Sequence, residues 1–161
     1  MARGMDMTDA IDSGAPTIAA IEAAYGRRAA ILWITTQLDA INEATAADPL
    51  DETATGSLAS LLLVQQKGMN LAEFALFTAR FAAGEWGKFY GAADPMAIAR
   101  AAADWSRQLT RWRHGLDDLR RTEALLARRE EWAAEAITYE EYLRRKAQQE
   151  KETDKTENLT K

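Results

Sequence analysis

The chain has 161 residues, of which 47% are hydrophobic, and a formal net charge of −5 at pH 7. This length is sufficient for one domain with a substantial core. The absence of cysteine excludes disulfides, a thiolate nucleophile and cysteine-ligated metals. The acidic balance argues against a general nucleic-acid binder, which needs a clearly basic face.

Targeting features predict a cytoplasmic protein. The first residues, MARGMDMTDAIDSGAP, contain acids and no apolar run, which argues against a secretory signal. The longest apolar block, LASLLLV, is far shorter than the roughly 18 residues that a membrane span requires. We therefore expect no membrane partner.

The fold is predicted to be all-α, because helix-forming residues dominate and no strand-like alternation occurs. We expect a single-domain helical bundle with one long C-terminal helix and a disordered tail. The predicted divisions are a flexible N-terminus (1–16), a helical domain (17–137), a short C-terminal helix (138–150) and a disordered tail (151–161).

The first helix is predicted to begin after the cap Thr17 and to run to Gly26. Gly26 either kinks one continuous helix or separates two. Asp48 and Pro49 then open a linker, ADPLDETATGS, before an apolar helix. That helix is expected to end near Gly68, with this glycine in the left-handed conformation that closes many helices.

The next helix carries a capping-box pattern, since Glu73 follows Asn70 at the required spacing. Its apolar side chains share one side and are predicted to form core, and Gly84 is its predicted end. These core residues are Leu71, Phe74, Phe77 and Phe81.

An aromatic turn follows, in the segment GEWGKFYGAA. Asp94 is predicted to cap the next helix, with Pro95 in its first position. We favour a packed corner between two helices, whose glycines allow turns that a Cβ would obstruct. The alternative is that the aromatic rings stack on exposed nucleic-acid bases beside a lysine. The candidate residues of this aromatic turn are Trp86, Lys88, Phe89 and Tyr90.

The long helix from Pro95 shows a heptad pattern of apolar residues. We interpret this seam first as a core face within the domain and second as a surface for self-association. It fails at Glu123, the next core position, and resumes weakly at Leu126 and Ala133. The seam residues are Ile98, Ala102, Trp105, Leu109, Trp112, Leu116 and Leu119.

Basic side chains recur on the side of this helix away from the seam. This basic spine is predicted to bind phosphates or an acidic protein surface. The alternative is an ordinary solvated face, because Asp104, Asp117 and Asp118 are spaced to pair with it. The basic spine comprises Arg100, Arg107, Arg113, His114, Arg120, Arg121 and Arg128.

The search for catalytic chemistry is negative. His114 is the single histidine, and no HExxH or ExxH pair could supply ligands for zinc or a di-iron centre. There is no G-x-S-x-G elbow. We therefore predict a protein that is not an enzyme, without a metal, cofactor or small-molecule substrate.

The segment around LAEFALFTARFAAGEWGKFYGAADPMAIARA resembles a group of small, uncharacterised helical proteins of bacterial phages and mobile elements. The shared turn runs from Gly84 to Pro95 and carries glycine, aromatic and Asp-Pro positions. The resemblance implies an all-α fold and a mobile-element setting. Our expectation is a non-catalytic adaptor, such as a replication accessory, with a protein partner and single-stranded DNA as a second candidate partner. The alternative is a self-associating structural or assembly protein.

Overall fold

The computed structural model describes residues 6–44, 48–87 and 92–158. Within these ranges the fold is all-α, as predicted, and contains no β-strand. No helix of the described chain has the length and apolar character needed to span a membrane. The helices are α1 (Met7–Asp12), α2 (Ile18–Tyr25), α3 (Arg27–Ala44), α4 (Glu52–Gln65), α5 (Leu71–Ala82), α6 (Pro95–Glu135) and α7 (Tyr139–Asn158).

The predicted N-caps of α2 and α5 are confirmed. The Thr17 hydroxyl accepts a hydrogen bond from the backbone N–H of Ala20 at 3.1 Å. At α5, the Glu73 N–H donates to Asn70 Oδ1, and the Asn70 N–H donates to Glu73 Oε2, both at 2.8 Å. These side chains satisfy backbone donors that have no partner within the helix.

The long helix α6 also begins as predicted. Asp94 Oδ1 accepts a hydrogen bond from the Met96 N–H at 2.8 Å, and Pro95 occupies the first helical position. Pro95 needs no donor there, and its ring fixes a helical φ. The helix continues through Gly115 without interruption to Glu135.

Glycines end two helices, and a third does not behave as predicted. Gly26, with φ 84°, separates α2 from α3, and Gly84, with φ 89°, follows α5. Gly68 is not among the described glycines with positive φ, so its predicted left-handed role is wrong. A backbone hydrogen bond from the Met69 N–H to the Gln66 carbonyl at 3.0 Å closes this corner instead.

The N-terminal segment 1–16, predicted to be flexible, contains helix α1. Asp6 and Asp9 form a capping box at its start. Met7 and Ala10 are buried against the core. The short helix is therefore held by tertiary contacts, which its sequence pattern alone does not reveal.

Two further boundaries differ from the predictions. Helix α4 begins inside the predicted linker, because Asp51 accepts a hydrogen bond from the Ala54 N–H at 2.7 Å and caps it. Helix α7 continues past the predicted end at residue 150 to Asn158. Residues 159–161 of the predicted tail lie outside the described chain.

The chain divides into two compact units, Met1–Leu116 and Asp117–Lys161. This division falls inside α6, whereas the predicted boundary followed residue 137. In the first unit, α3 contacts α2, α4 and α5, and α1 contacts α5. Its fully buried side chains include Ile18, Ile34, Leu38, Ile41, Leu62, Leu63, Phe74, Phe77, Ile98 and Trp105.

The second unit has a different character. Residues 117–134 and 136–149 are all exposed. Helices in proteins gain most of their stability by packing an amphipathic face against other elements. The described side chains of this unit are thus largely exposed, unlike the buried core of the first unit.

Candidate functional site

In the first unit, three members of the basic spine lie in solvent as predicted. Arg100, Arg107 and His114 are exposed. Arg107 forms an ion pair with Asp104, one turn earlier in α6. Exposed pairs of this kind stabilise a fold little. The exposure of all three side chains leaves them accessible to a partner.

Arg113 departs from the prediction, because it turns toward the protein core. Its Nη2 donates to both carboxylate oxygens of Glu73 at 2.6 Å, and its Nε donates to Oε1 at 3.2 Å. The Glu73 side chain is fully buried. A buried carboxylate requires a cation or several donors, so Arg113 neutralises Glu73.

The sequence carried one signal for this ion pair. Glu73 belongs to a capping box at the start of the most aromatic helix, so its carboxylate had to lie at the edge of the core. Arg113, the cation that pairs with Glu73, lies 40 positions further along the chain. The pairing depends on how α6 packs against α5. Sequence spacing alone does not give that contact.

In the second unit, Arg120, Arg121 and Arg128 are exposed. Arg121 Nη1 lies 3.8 Å from Asp118 Oδ1, and both side chains are 78% exposed. This pairing matches the expectation of a solvated face and leaves the guanidinium open to an anionic ligand.

Within the aromatic turn, Trp86 packs inward. Its ring centroid lies 5.5 Å from that of Phe77, 6.1 Å from that of Phe81 and 6.2 Å from that of Trp105. Trp86 therefore belongs to the packed corner and does not offer a free ring for base stacking. The other predicted residues of this turn, Lys88, Phe89 and Tyr90, lie outside the described chain.

The apolar seam of α6 is buried only along its first part. Ile98, Trp105 and Leu109 are buried. Trp112 is 48% exposed, and its indole N–H donates to the Thr8 hydroxyl at 3.3 Å. The interpretation as a core face is thus confirmed up to Leu109.

Beyond the first unit, α6 exposes an apolar stripe in which Leu125 and Trp132 lie beside the seam positions Leu119, Leu126 and Ala133. Its large members are 53–66% exposed. The alternating spacing of four and three residues fails at Glu123, but an angle of about 100° per residue groups all five members of the stripe on one side of the helix. The apolar stripe consists of Leu119, Leu125, Leu126, Trp132 and Ala133.

The described residues hold no cluster of three or more histidine, aspartate or glutamate side chains suited to a metal ion. Among the described residues, the carboxylate of Glu22 is electrostatically perturbed. A hydrogen bond from Lys67, at 3.0 Å, lowers the pKa of Glu22, and Arg27 adds a smaller effect. This partly exposed ion-pair cluster joins α2 to the turn that follows α4.

The comparisons with known proteins identify a family whose function is unknown. A model described as a family of unknown function (DUF6633) matches residues 51–153. That match covers more than half of the chain, and the chain belongs to this family. No curated protein and no solved structure matches it.

Proposed function

We propose that this member of a family of unknown function is a non-catalytic, cytoplasmic adaptor that binds a protein partner through its second unit. One observation carries the proposal: large apolar side chains are exposed at several positions between Leu119 and Leu143. Apolar patches of this kind mark protein interaction sites. Besides the apolar stripe, the exposed apolar residues are Ile137, Tyr139, Tyr142 and Leu143.

The proposed setting is DNA replication in a phage or mobile element. The sequence resemblance motivates this setting, and the exposed arginines of α6 support single-stranded DNA as a second ligand. Arginine side chains neutralise phosphates and release counterions from the strand. The overall acidic charge would confine such binding to α6.

Capture of the protein partner tests the adaptor proposal. The full chain and a double variant, Leu126→Asp with Trp132→Asp, are immobilised and exposed to an extract of the native host. We expect a discrete protein that binds the parent and is lost with the variant, because two carboxylates interrupt the apolar stripe.

The matched control is Ala124→Asp with Ala127→Asp, which adds the same charge to the opposite side of the helix. It should capture the same protein as the parent. Equal capture by all three chains would show that the apolar stripe is not the docking surface.

DNA binding is tested with a fluorescent single-stranded oligonucleotide. We expect binding that weakens steeply with salt, and a loss of about tenfold or more for Arg107→Glu with Arg121→Glu at low salt. The control, Arg144→Glu with Arg145→Glu, makes the same charge change on α7. Absent or salt-insensitive binding would leave only protein partners.

A second candidate function is self-association as a structural or assembly protein. The charges beside the apolar stripe favour self-association. One edge of the stripe carries Arg121 and Arg128, and the other carries Glu123 and Glu130. Light scattering decides this candidate, because a strict monomer at high protein concentration is incompatible with it.

A further inference from the structure

The apolar stripe has a defined position on the helical wheel of α6. At about 100° per residue, its members occupy an arc of about 140°. Leu119 lies at one margin of this arc and Trp132 at the other. Every member is exposed, so a considerable apolar surface faces solvent.

The two edges of the stripe carry opposite charges. Arg121 and Arg128 follow the margin beside Trp132, and Glu123 and Glu130 follow the margin beside Leu119. All four charged residues are exposed. Seen along the helix axis, this side of α6 is thus basic, apolar and acidic in turn, with Arg129 projecting within the apolar part.

We propose that the apolar stripe binds the same stripe of a second copy of this chain, with the two α6 helices parallel. This inference rests on self-association, the second of the two proposed functions. In a parallel pair the two-fold axis runs along the helices, so the basic edge of each copy faces the acidic edge of the other. Arg121 then meets Glu123 of the other copy, and Arg128 meets its Glu130, with offsets of about 3 Å along the axis.

An antiparallel pair is disfavoured by the same charges. Its two-fold axis is perpendicular to the helices and brings each edge against its own equivalent. Arginines would then face arginines and glutamates would face glutamates, which opposes association. The charge pattern therefore selects the parallel orientation as well as the partner.

A charged residue in the middle of the stripe weakens the parallel pair. Arg129 projects from the middle of the arc, so the two copies of this arginine meet at the same height. Removing that charge by Arg129→Gln should strengthen the dimer about threefold or more, since the like-charge contact disappears. A weaker dimer in this variant would contradict the parallel arrangement.

Single cysteines test the orientation directly, because the chain has none of its own. Thr122 and Ala133 lie near the centre of the arc, about 16 Å apart along the axis. In a parallel dimer each position faces itself, and both Thr122→Cys and Ala133→Cys should form disulfide-linked dimers on mild oxidation. A disulfide requires Cα atoms within about 7 Å. In an antiparallel pair only residues at the height of the two-fold axis face their own copy, so at most one of the two positions could form a disulfide.

The control is Ala124→Cys, on the opposite side of α6, which should remain unlinked. Linkage at only one of the two central positions would overturn the parallel orientation while retaining self-association. If Ala124→Cys formed as much disulfide-linked dimer as the two central variants, the disulfides would come from random collisions. That result would contradict the apolar stripe as the dimer interface.

Charge exchange tests the partner assignment by analytical ultracentrifugation of the full chain. Arg121→Glu with Arg128→Glu makes both edges acidic, and Glu123→Arg with Glu130→Arg makes both basic. Each double variant should dimerise about tenfold or more weakly than the parent, and an equal mixture should recover association as a heterodimer. A monomeric parent would overturn self-association, whereas the capture experiment would still decide the adaptor function.

Discussion

Replacing Trp105 with alanine is expected to remove about 4 kcal/mol of the free energy of unfolding, the largest loss of any single change considered. The Trp105 side chain is fully buried in the first unit. Its indole N–H donates to the Glu73 carbonyl at 3.1 Å, and the Arg80 guanidinium lies 5.2 Å from the ring centroid. Truncation creates a cavity and leaves the carbonyl without this donor.

Urea unfolding followed by circular dichroism measures the effect of this substitution. The matched control is Trp112→Ala, which removes the same side chain one heptad later in the same helix. Since Trp112 is 48% exposed, its loss should cost less than about 1 kcal/mol. Similar losses for the two variants would show that α6 is not anchored to the core through Trp105.

The second large effect is expected for Arg113→Leu. This change leaves the fully buried Glu73 carboxylate without its cation, with the Asn70 N–H at 2.8 Å still donating to it. Breaking a buried ion pair costs about 3–5 kcal/mol. We expect about 2–3 kcal/mol here, because the Arg113 side chain is 41% exposed and water solvates it in part.

A double-mutant cycle separates the ion pair from the packing of the arginine. Glu73→Gln removes the charge and retains an acceptor suited to the capping box. In the Arg113→Leu background it should recover about 1–2 kcal/mol, whereas in the parent background it should destabilise. Additive effects of the two substitutions would mean that the observed contact contributes no coupling energy.

Much of the fold follows from local chemistry and could be predicted. Thr17, Asn70 and Asp94 each supply an oxygen to backbone N–H groups within three residues, and Pro95 fixes its own φ. These effects require no distant partner. The all-α class and the starts of α2, α5 and α6 are therefore readable along the chain.

Less of the candidate site could be predicted from neighbouring residues in the sequence. The heptad seam and the basic spine predict the direction in which each side chain of α6 points. They do not predict which other part of the protein lies against it. Leu109 and Leu119 are both seam residues, yet one is buried and the other is 61% exposed. Arg113 and Arg120 share a register, but Arg113 alone meets the buried Glu73.

The amino-acid sequence by itself determined the helical class, most helix starts and the charge of each helical edge, because each depends on residues a few positions apart. The tertiary structure decided which part of α6 is covered, that α1 packs on the core, and that Arg113 serves Glu73. Those outcomes depend on side chains brought together from distant positions, where burial is set by the neighbouring helix and not by the periodicity of the helix itself.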